Sequence, residues 1–550
     1  MRRHNDFDAV PGSAVVRLLL ALLSALLLAS ALGGCLSGGD RTEDTDDGVP
    51  PVDTLSAKQY DILEPEETWV TVSDELRLNN AVYRPDTTEP VPVFVNFSPY
   101  WGDSAMTEGD AFSQYMINEY VPRGYAVVLS AIRGTGHSEG CFEVGSDRES
   151  QDLNEVVGYF SQQDWSNGNV AAGGKSYDST SQNGMIAKYP HPALKGLFHV
   201  SGITDMYSYT FRMGTPARAD SGVFTTEYSV TQGVSEFAGG AGGGGSPTDE
   251  DPESLARIVD DAACAELPEH VANSEASTAA GVKSTYWMER DWTQSIAASS
   301  WEGSIFFVHG LQDWNVQPSH ILPWLDQVHA NGHIQVLGWL HQWQQGGTGH
   351  VYPMRTDWNE TMLRWLDHTL KGKDTGMDRL WGYEVQGDDE QWRRTPTWPP
   401  TSDLLLGEGT TGFAGASVGE RLTGTMQFTV NATVLNPDPV LTVVVTDQDG
   451  EWVTEGVLRG IYKDGLDAPS ELVPGTRYTF EFDSYAFDHV VPVGGGLTFT
   501  AQGPPTKSIA TPTQLEGVLV DGDVDVRYAV MSPDTGRLEP QPLPMDCFTC

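Results

Sequence analysis

The stretch Gly174-Lys175-Ser176-Tyr177-Asp178 constrains this chain more than any other. It follows the apolar run Val170-Ala171-Ala172-Gly173 and precedes a helix-forming segment, Thr180 to Lys188. A strand that turns sharply at a serine and enters a helix lifts the hydroxyl clear of a sheet. A base can then take its proton and a carbonyl carbon can approach it. Gly174 is expected to let the backbone turn without a Cβ clash. The backbone N–H of Tyr177 would point to where an oxyanion forms, at the positive end of a helix. An ordinary Gly-Lys-Ser turn is the competing reading, because Asp178 stands where the motif G-x-S-x-G ends in glycine.

Partners for the serine follow in order. The next strong strand, Ser304 to Gly310, runs into Leu311-Gln312-Asp313-Trp314-Asn315-Val316. An acid on the loop after a buried strand can orient a histidine, although Asp313 could equally cap the helix that starts near Pro318. The strand His333 to Leu337 then leads to a loop bearing His341 and His350. The chain order serine, aspartate, histidine is that of the α/β-hydrolases. His341 lies 28 residues after Asp313 and His350 lies 37 residues after it.

Several segments together resemble one family. His309 to Val316 resembles the acid loop of the Xaa-Pro dipeptidyl-peptidases and their relatives. That serine-hydrolase family also includes cocaine esterase and glutaryl-7-aminocephalosporanic acid acylase-like enzymes. Gly174 to Thr180 resembles the family's G-x-S-Y-x-G-T elbow, with Ser179 where glycine is usual. Ile132 to Cys141 resembles its D-x-R-G-x-G-x-S-x-G segment, with Ala131 in place of the aspartate. Ser201 to Tyr209 and Gly349 to Pro353 resemble segments of the peptidase branch, and the whole covers most of residues 90 to 372. The resemblance implies Ser176 as nucleophile, Asp313 as acid and His350 as base. The Gly-His-Val-x-Pro context favours His350, while the spacing of His341 is that of the esterase branch. It also implies that the Tyr100 hydroxyl, at the end of the strand Val93 to Phe97, joins the Tyr177 N–H in the oxyanion hole. A phenol is a suitable neutral donor at pH 7. No metal or organic cofactor is implied.

The first residues address the compartment. Arg2 and Arg3 open the chain, and Arg17 precedes the apolar run Leu18 to Leu32, which is short for a membrane span. The run ends in Ala31-Leu32-Gly33-Gly34-Cys35, which reads as an export signal with small residues before the cut. It also resembles a lipoprotein signal in which Cys35 carries the lipid, so that the protein would be exported and held at the cell surface. The formal net charge of −44, from 32 basic and 76 acidic residues, disfavours a nucleic-acid partner. Five cysteines are too few for a disulfide scaffold, and Cys547-Phe-Thr-Cys550 lacks the second pair that a zinc site needs.

The pattern predicts an export signal at 1–35, a flexible tether at 36–60 and an α/β-hydrolase domain at 61–375. That domain should be a doubly wound sheet with a cap inserted at about 206–300, where long apolar strands stop. Short β-rich runs spaced by Gly, Pro and Asp then predict a β-sandwich over 378–546, which the family resemblance makes a jelly roll. The expected activity is release of Xaa-Pro dipeptides through an acyl-enzyme. An esterase or amidase acting on small acyl groups and a non-catalytic surface binding protein are the alternatives.

Overall fold

The structure is a computed structural model that describes residues 53–101, 111–216, 281–342, 349–400, 405–410, 413–414, 419–467, 469–503 and 518–545. Its largest element is a ten-stranded sheet. The strands are β1 (Glu66–Thr71), β2 (Arg77–Tyr83), β3 (Val91–Ser98), β4 (Ala126–Ala131), β5 (Ser166–Lys175), β6 (Leu194–Val200), β7 (Ser304–Gly310), β8 (Gln335–His341), β9 (Gly382–Gln386) and β10 (Trp392–Thr395). Their spatial order is β1-β2-β4-β3-β5-β6-β7-β8-β9-β10. The sheet is parallel from β4 to β9 and antiparallel at both edges.

Parallel strands of this kind are buried on both faces, so they read as continuous apolar runs. Val93, Val95 and Phe97 of β3 enter the core on one side, and Phe94 enters the core on the other. On the first side lie α2 (Asp147–Ser161), α3 (Ser181–Lys188) and α6 (Ile321–Asn331). On the second side lie α1 (Ala111–Tyr120) and α7 (Trp358–Lys371). The apolar stripe of α7 is Trp358, Met362, Leu363, Trp365, Leu366 and Leu370, at helical spacing. Between β6 and β7 the described part of the inserted segment holds two short helices, α4 (Met206–Thr210) and α5 (Thr285–Glu289).

The C-terminal strands form two antiparallel sheets that enclose a separate apolar core around Phe428, Val443, Phe480, Phe499 and Val526. Strand Gln427–Val434 alternates buried and partly exposed residues, as a sheet with one covered face should. Together with the hydrolase sheet this gives the α/β-hydrolase with a C-terminal β-sandwich.

Two expected boundaries differ. Residues expected at the end of a flexible tether are fixed: Ser56 donates from both N–H and Oγ to the Asp367 carboxylate, at 2.7 and 2.6 Å. Asp367 is buried on α7 and needs those donors. The sandwich also does not begin at 378, because β9 and β10 extend the hydrolase sheet. Near the other end, Met545 N–H donates to the Met354 carbonyl at 2.8 Å, which ties the last described residues back to the hydrolase.

Trp365 sits wholly buried against β6 and β7, with its Nε1–H on Ser304 Oγ at 3.0 Å and its ring 6.1 Å from that of Phe306. Trp365→Ala should lower unfolding free energy by about 3–5 kcal/mol through the cavity it leaves. Denaturant titration of purified protein checks this.

Candidate active site

Ser176 stands at the end of β5 with φ +63°, a left-handed conformation that is rare for a side chain of this kind. A single turn, Ser176–Ser179, then leads into α3. The left-handed residue of the turn is the serine itself. Gly174 meets the expectation of a turn free of a Cβ clash. A Cβ there would lie 2.5 Å from Asn96 Nδ2 and 2.6 Å from Asp178 Cβ. Asn96, on the neighbouring β3, donates to the Gly173 carbonyl at 2.9 Å and so holds the strand end in place.

Ser179, at the usual glycine position, is buried and donates 3.1 Å to the Ser176 carbonyl. Gly202 makes space for it, since a Cβ there would come within 2.5 Å of Ser179 Oγ. The departure from the family pattern is thus absorbed by the opposing loop.

Asp313 follows β7 and is fully buried. Its Oδ1 accepts the N–H groups of Asn315 and Val316 at 2.9 and 2.8 Å, and its Oδ2 accepts Nδ1–H of His350 at 2.9 Å. Burial pushes its carboxyl up, but the attraction and hydrogen bond of His350 win and hold it below the usual aspartate value. Because Nδ1 of His350 faces the carboxylate, Nε2 is the nitrogen left to exchange a proton. The alternative capping role for Asp313 is not what the structure shows. No side chain caps the turn Pro318–His320 or α6 behind it.

His341 ends β8 in full burial, and that burial drives its ring down to about 3, so it stays neutral. The structure therefore brings His350, rather than His341, to the Asp313 carboxylate. His309 is buried too, lowered by burial to about 4, and donates from Nε2 to the Val316 carbonyl at 2.8 Å, which braces the acid loop.

Tyr100 lies just beyond β3 and is 40% exposed, close enough to interact electrostatically with the buried phenols of Tyr177 and Tyr209. Tyr177 is buried, with its ring edge-on to Phe142 at 5.3 Å. Cys35 lies outside the described residues.

Two participants escaped the sequence reading. Tyr209, on α4, reaches the acid loop by donating to Asn315 Oδ1 at 3.2 Å. Glu149, on α2, is buried at 0% exposure and accepts the Tyr177 hydroxyl at 2.7 Å. The only signal for Glu149 was the pattern Ser146-x-x-Glu149, a capping box. Ser146 does cap α2, accepting the Glu149 N–H at 3.3 Å, while the carboxylate goes inward. Among the described residues no group of three His, Cys, Asp or Glu side chains could hold a metal ion.

Fold and site together define a serine hydrolase of the α/β-hydrolase class. Residues 74–347 match the family model for X-Pro dipeptidyl-peptidase (S15 family). A Streptomyces avermitilis protein carrying the Xaa-Pro dipeptidyl-peptidase name is 31% identical over 373 residues, covering 62% of this chain and half the length of that relative. A Bacillus anthracis protein of the same name is 25% identical over 498 residues, covering 76% of this chain and 78% of its own. The crystal structure of a CocE/NonD family hydrolase from Staphylococcus aureus superposes with a TM-score of 0.62 at 16% identity. It covers 85% of this chain and 93% of that one, a likeness of fold. Over the matched residues the chain is similar to the family of serine hydrolases that contains the Xaa-Pro dipeptidyl-peptidases.

Asp313 carries a checkable consequence. Its folded value lies below its unfolded one, so its ionisation adds stability above the ordinary aspartate range, and this is lost as pH falls through the folded value. Asp313→Asn should therefore melt lower than wild type at neutral pH, with the gap narrowing as the buffer is taken below about pH 4. Thermal melts across that range measure it.

Proposed function

We propose that this chain is an exopeptidase that releases Xaa-Pro dipeptides from free peptide N-termini. The observation that carries the proposal is the Asp313–His350 hydrogen bond of 2.9 Å in a fold that holds Ser176 at a strained strand end. The relatives' names supply the substrate class, and the match to the first of them spans half of that relative.

Ser176 Oγ attacks the acyl carbon of the bond after proline as His350 Nε2 takes its proton. Asp313 keeps Nδ1 protonated and offsets the charge of the ring. The oxyanion is held by the Tyr177 N–H and the Tyr100 hydroxyl. Collapse breaks the C–N bond, the leaving amine takes the proton from His350, and the dipeptidyl group stays on Ser176 as an ester. Water, deprotonated by the same histidine, then releases the dipeptide acid. None of these steps requires a metal or organic cofactor.

Export to the cell surface, with a lipid on Cys35, is part of the same proposal. A disulfide at Cys141 supports it, because such bonds persist in oxidising compartments. The other four cysteines all lie outside the described residues. Cys35→Ser should move the protein from the membrane fraction to the soluble one, and an unchanged distribution would remove the anchor.

Ser176→Ala and His350→Ala should each cut turnover by about 10³-fold or more. Ser176→Ala should melt near wild type, whereas His350→Ala should melt lower because it leaves the buried Asp313 charge without its partner. His341→Ala should instead lower stability, since it opens a cavity, and leave turnover per folded molecule close to wild type. The opposite ranking of the two histidines would transfer the base to His341. Free Xaa-Pro-anilides should be cleaved and N-acetylated ones should not, because a pocket for the ammonium would lose its charged partner. Equal rates on both would sink the exopeptidase reading, and turnover restricted to p-nitrophenyl esters would make the protein an esterase with the same residues.

A further inference from the structure

We propose that Glu149 is a positioning residue of the oxyanion hole, its carboxylate fixing the Tyr177 side chain and through it the Tyr177 N–H. The inference rests on the reading of Ser176 as nucleophile. Residue 177 is pinned from two sides. Its backbone is set by the left-handed turn at Ser176, and its ring is anchored at the far end by Glu149. Glu149 Oε2 accepts the Tyr177 hydroxyl at 2.7 Å and Ser181 Oγ at 3.2 Å, so it ties both ends of the elbow turn to α2. The Gly145 N–H is shared between the Tyr177 hydroxyl oxygen, at 2.6 Å, and Glu149 Oε1, at 3.1 Å.

Every group on this carboxyl is a donor. A carboxylate, which only accepts, satisfies all of them, whereas a carboxylic acid carries a proton that must displace one. Loss of the Tyr177 or Gly145 contact frees the ring, and the N–H it carries then loses its fixed aim.

The surroundings resist that charge. Burial raises the Glu149 carboxyl to about 7, with Glu143 adding repulsion and Arg290 opposing it. Arg290 is itself fastened to the same loop, donating to the Val144 and Glu143 carbonyls at 3.0 and 3.3 Å. Its guanidinium stacks 3.8 Å over Tyr286, whose phenol is raised by burial and further by Glu149 and Glu143. Tyr177 is raised by burial, with Glu149 adding to the shift, and keeps its proton. The folded value of Glu149 is above its unfolded one. Stability from its proton is therefore present at acid pH and lost as pH rises through about 7. Site and fold want opposite protonation states, so activity should rise across the range in which stability falls.

The test is the rate at which a fluorophosphonate labels Ser176, measured from roughly pH 5 to 9, together with thermal melts over the same range. Wild type, Glu149→Gln, Tyr177→Phe and the double variant are compared. Each single change should slow labelling by about 10- to 100-fold above neutral pH, less than the roughly 10²- to 10³-fold of an oxyanion donor removed outright, because the N–H is misaimed and not lost. The double variant should be no slower than the slower single one, because the two residues act as a unit. The labelling component near pH 7 and the stability loss over the same range should both vanish in Glu149→Gln.

Wild-type labelling and an unchanged pH profile in Glu149→Gln would overturn the role of Glu149 while leaving the nucleophile intact. If wild type itself is not labelled at Ser176, the nucleophile reading falls and this inference falls with it. Should Glu149→Gln not fold, Tyr177→Phe decides, because it keeps the carboxylate and removes the anchor. Labelling at the wild-type rate in that variant would overturn the proposal.

Discussion

The structure turns on the backbone of Ser176. A non-glycine residue at φ +63° costs on the order of 1–3 kcal/mol and persists only where its surroundings over-determine it. Here the surroundings come from four elements. β3 holds the strand end through Asn96, and α3 continues the turn. The loop after β6 leaves room for Ser179 at Gly202, and α2 grips the following residue through Glu149. The parallel sheet matters because it fixes β3, β5 and β6 side by side, so these contacts arrive together.

Two buried carboxyls flank the serine, and their environments push them apart. Asp313 faces a histidine and two backbone N–H groups, and it ionises more readily than a free aspartate. Glu149 is equally buried but meets neutral donors and the charge of Glu143, so it holds its proton to about 7. Divergence of this kind separates the tasks of two like groups. The buried histidines obey the same rule. His309 and His341 are kept neutral by desolvation, which leaves the Asp313 charge to His350.

Much of this was legible in the chain. Apolar runs of parallel strands, the serine turn between strand and helix, and the order of serine, aspartate and histidine are local or ordered signals that pointed to Ser176 and Asp313, while the choice of His350 over His341 rested on the resemblance of Gly349 to Pro353 to the peptidase branch. Elements were readable for the same reason, as with α7, whose stripe of Trp, Met and Leu repeats at helical spacing. What was not legible depends on packing between distant segments. Ser56 reads as linker because its partner, Asp367, lies 311 residues away. Glu149 reads as a capping glutamate, since nothing near it in sequence says that Tyr177 will arrive against it. The need to avoid a Cβ at Gly174 was legible, but not the neighbours a Cβ there would meet, Asn96 and Asp178, nor that Ser176 itself takes the left-handed turn.

The loop around residues 141–145 joins these two themes. It carries the disulfide-bonded Cys141, the ring of Phe142 against Tyr177, and the Gly145 N–H that Tyr177 and Glu149 share. Arg290, from the far end of the inserted segment, closes over its carbonyls. This loop is therefore one place where the inserted segment touches the elbow, alongside Ser299, whose Oγ donates to the Ile186 carbonyl of α3. A disulfide restrains a chain most where it limits the alternatives open to a loop. At Cys141 that restraint falls four residues before Gly145. The restraint at Cys141 therefore bears on the Gly145 N–H that Tyr177 and Glu149 share, and so on the residue that follows Ser176.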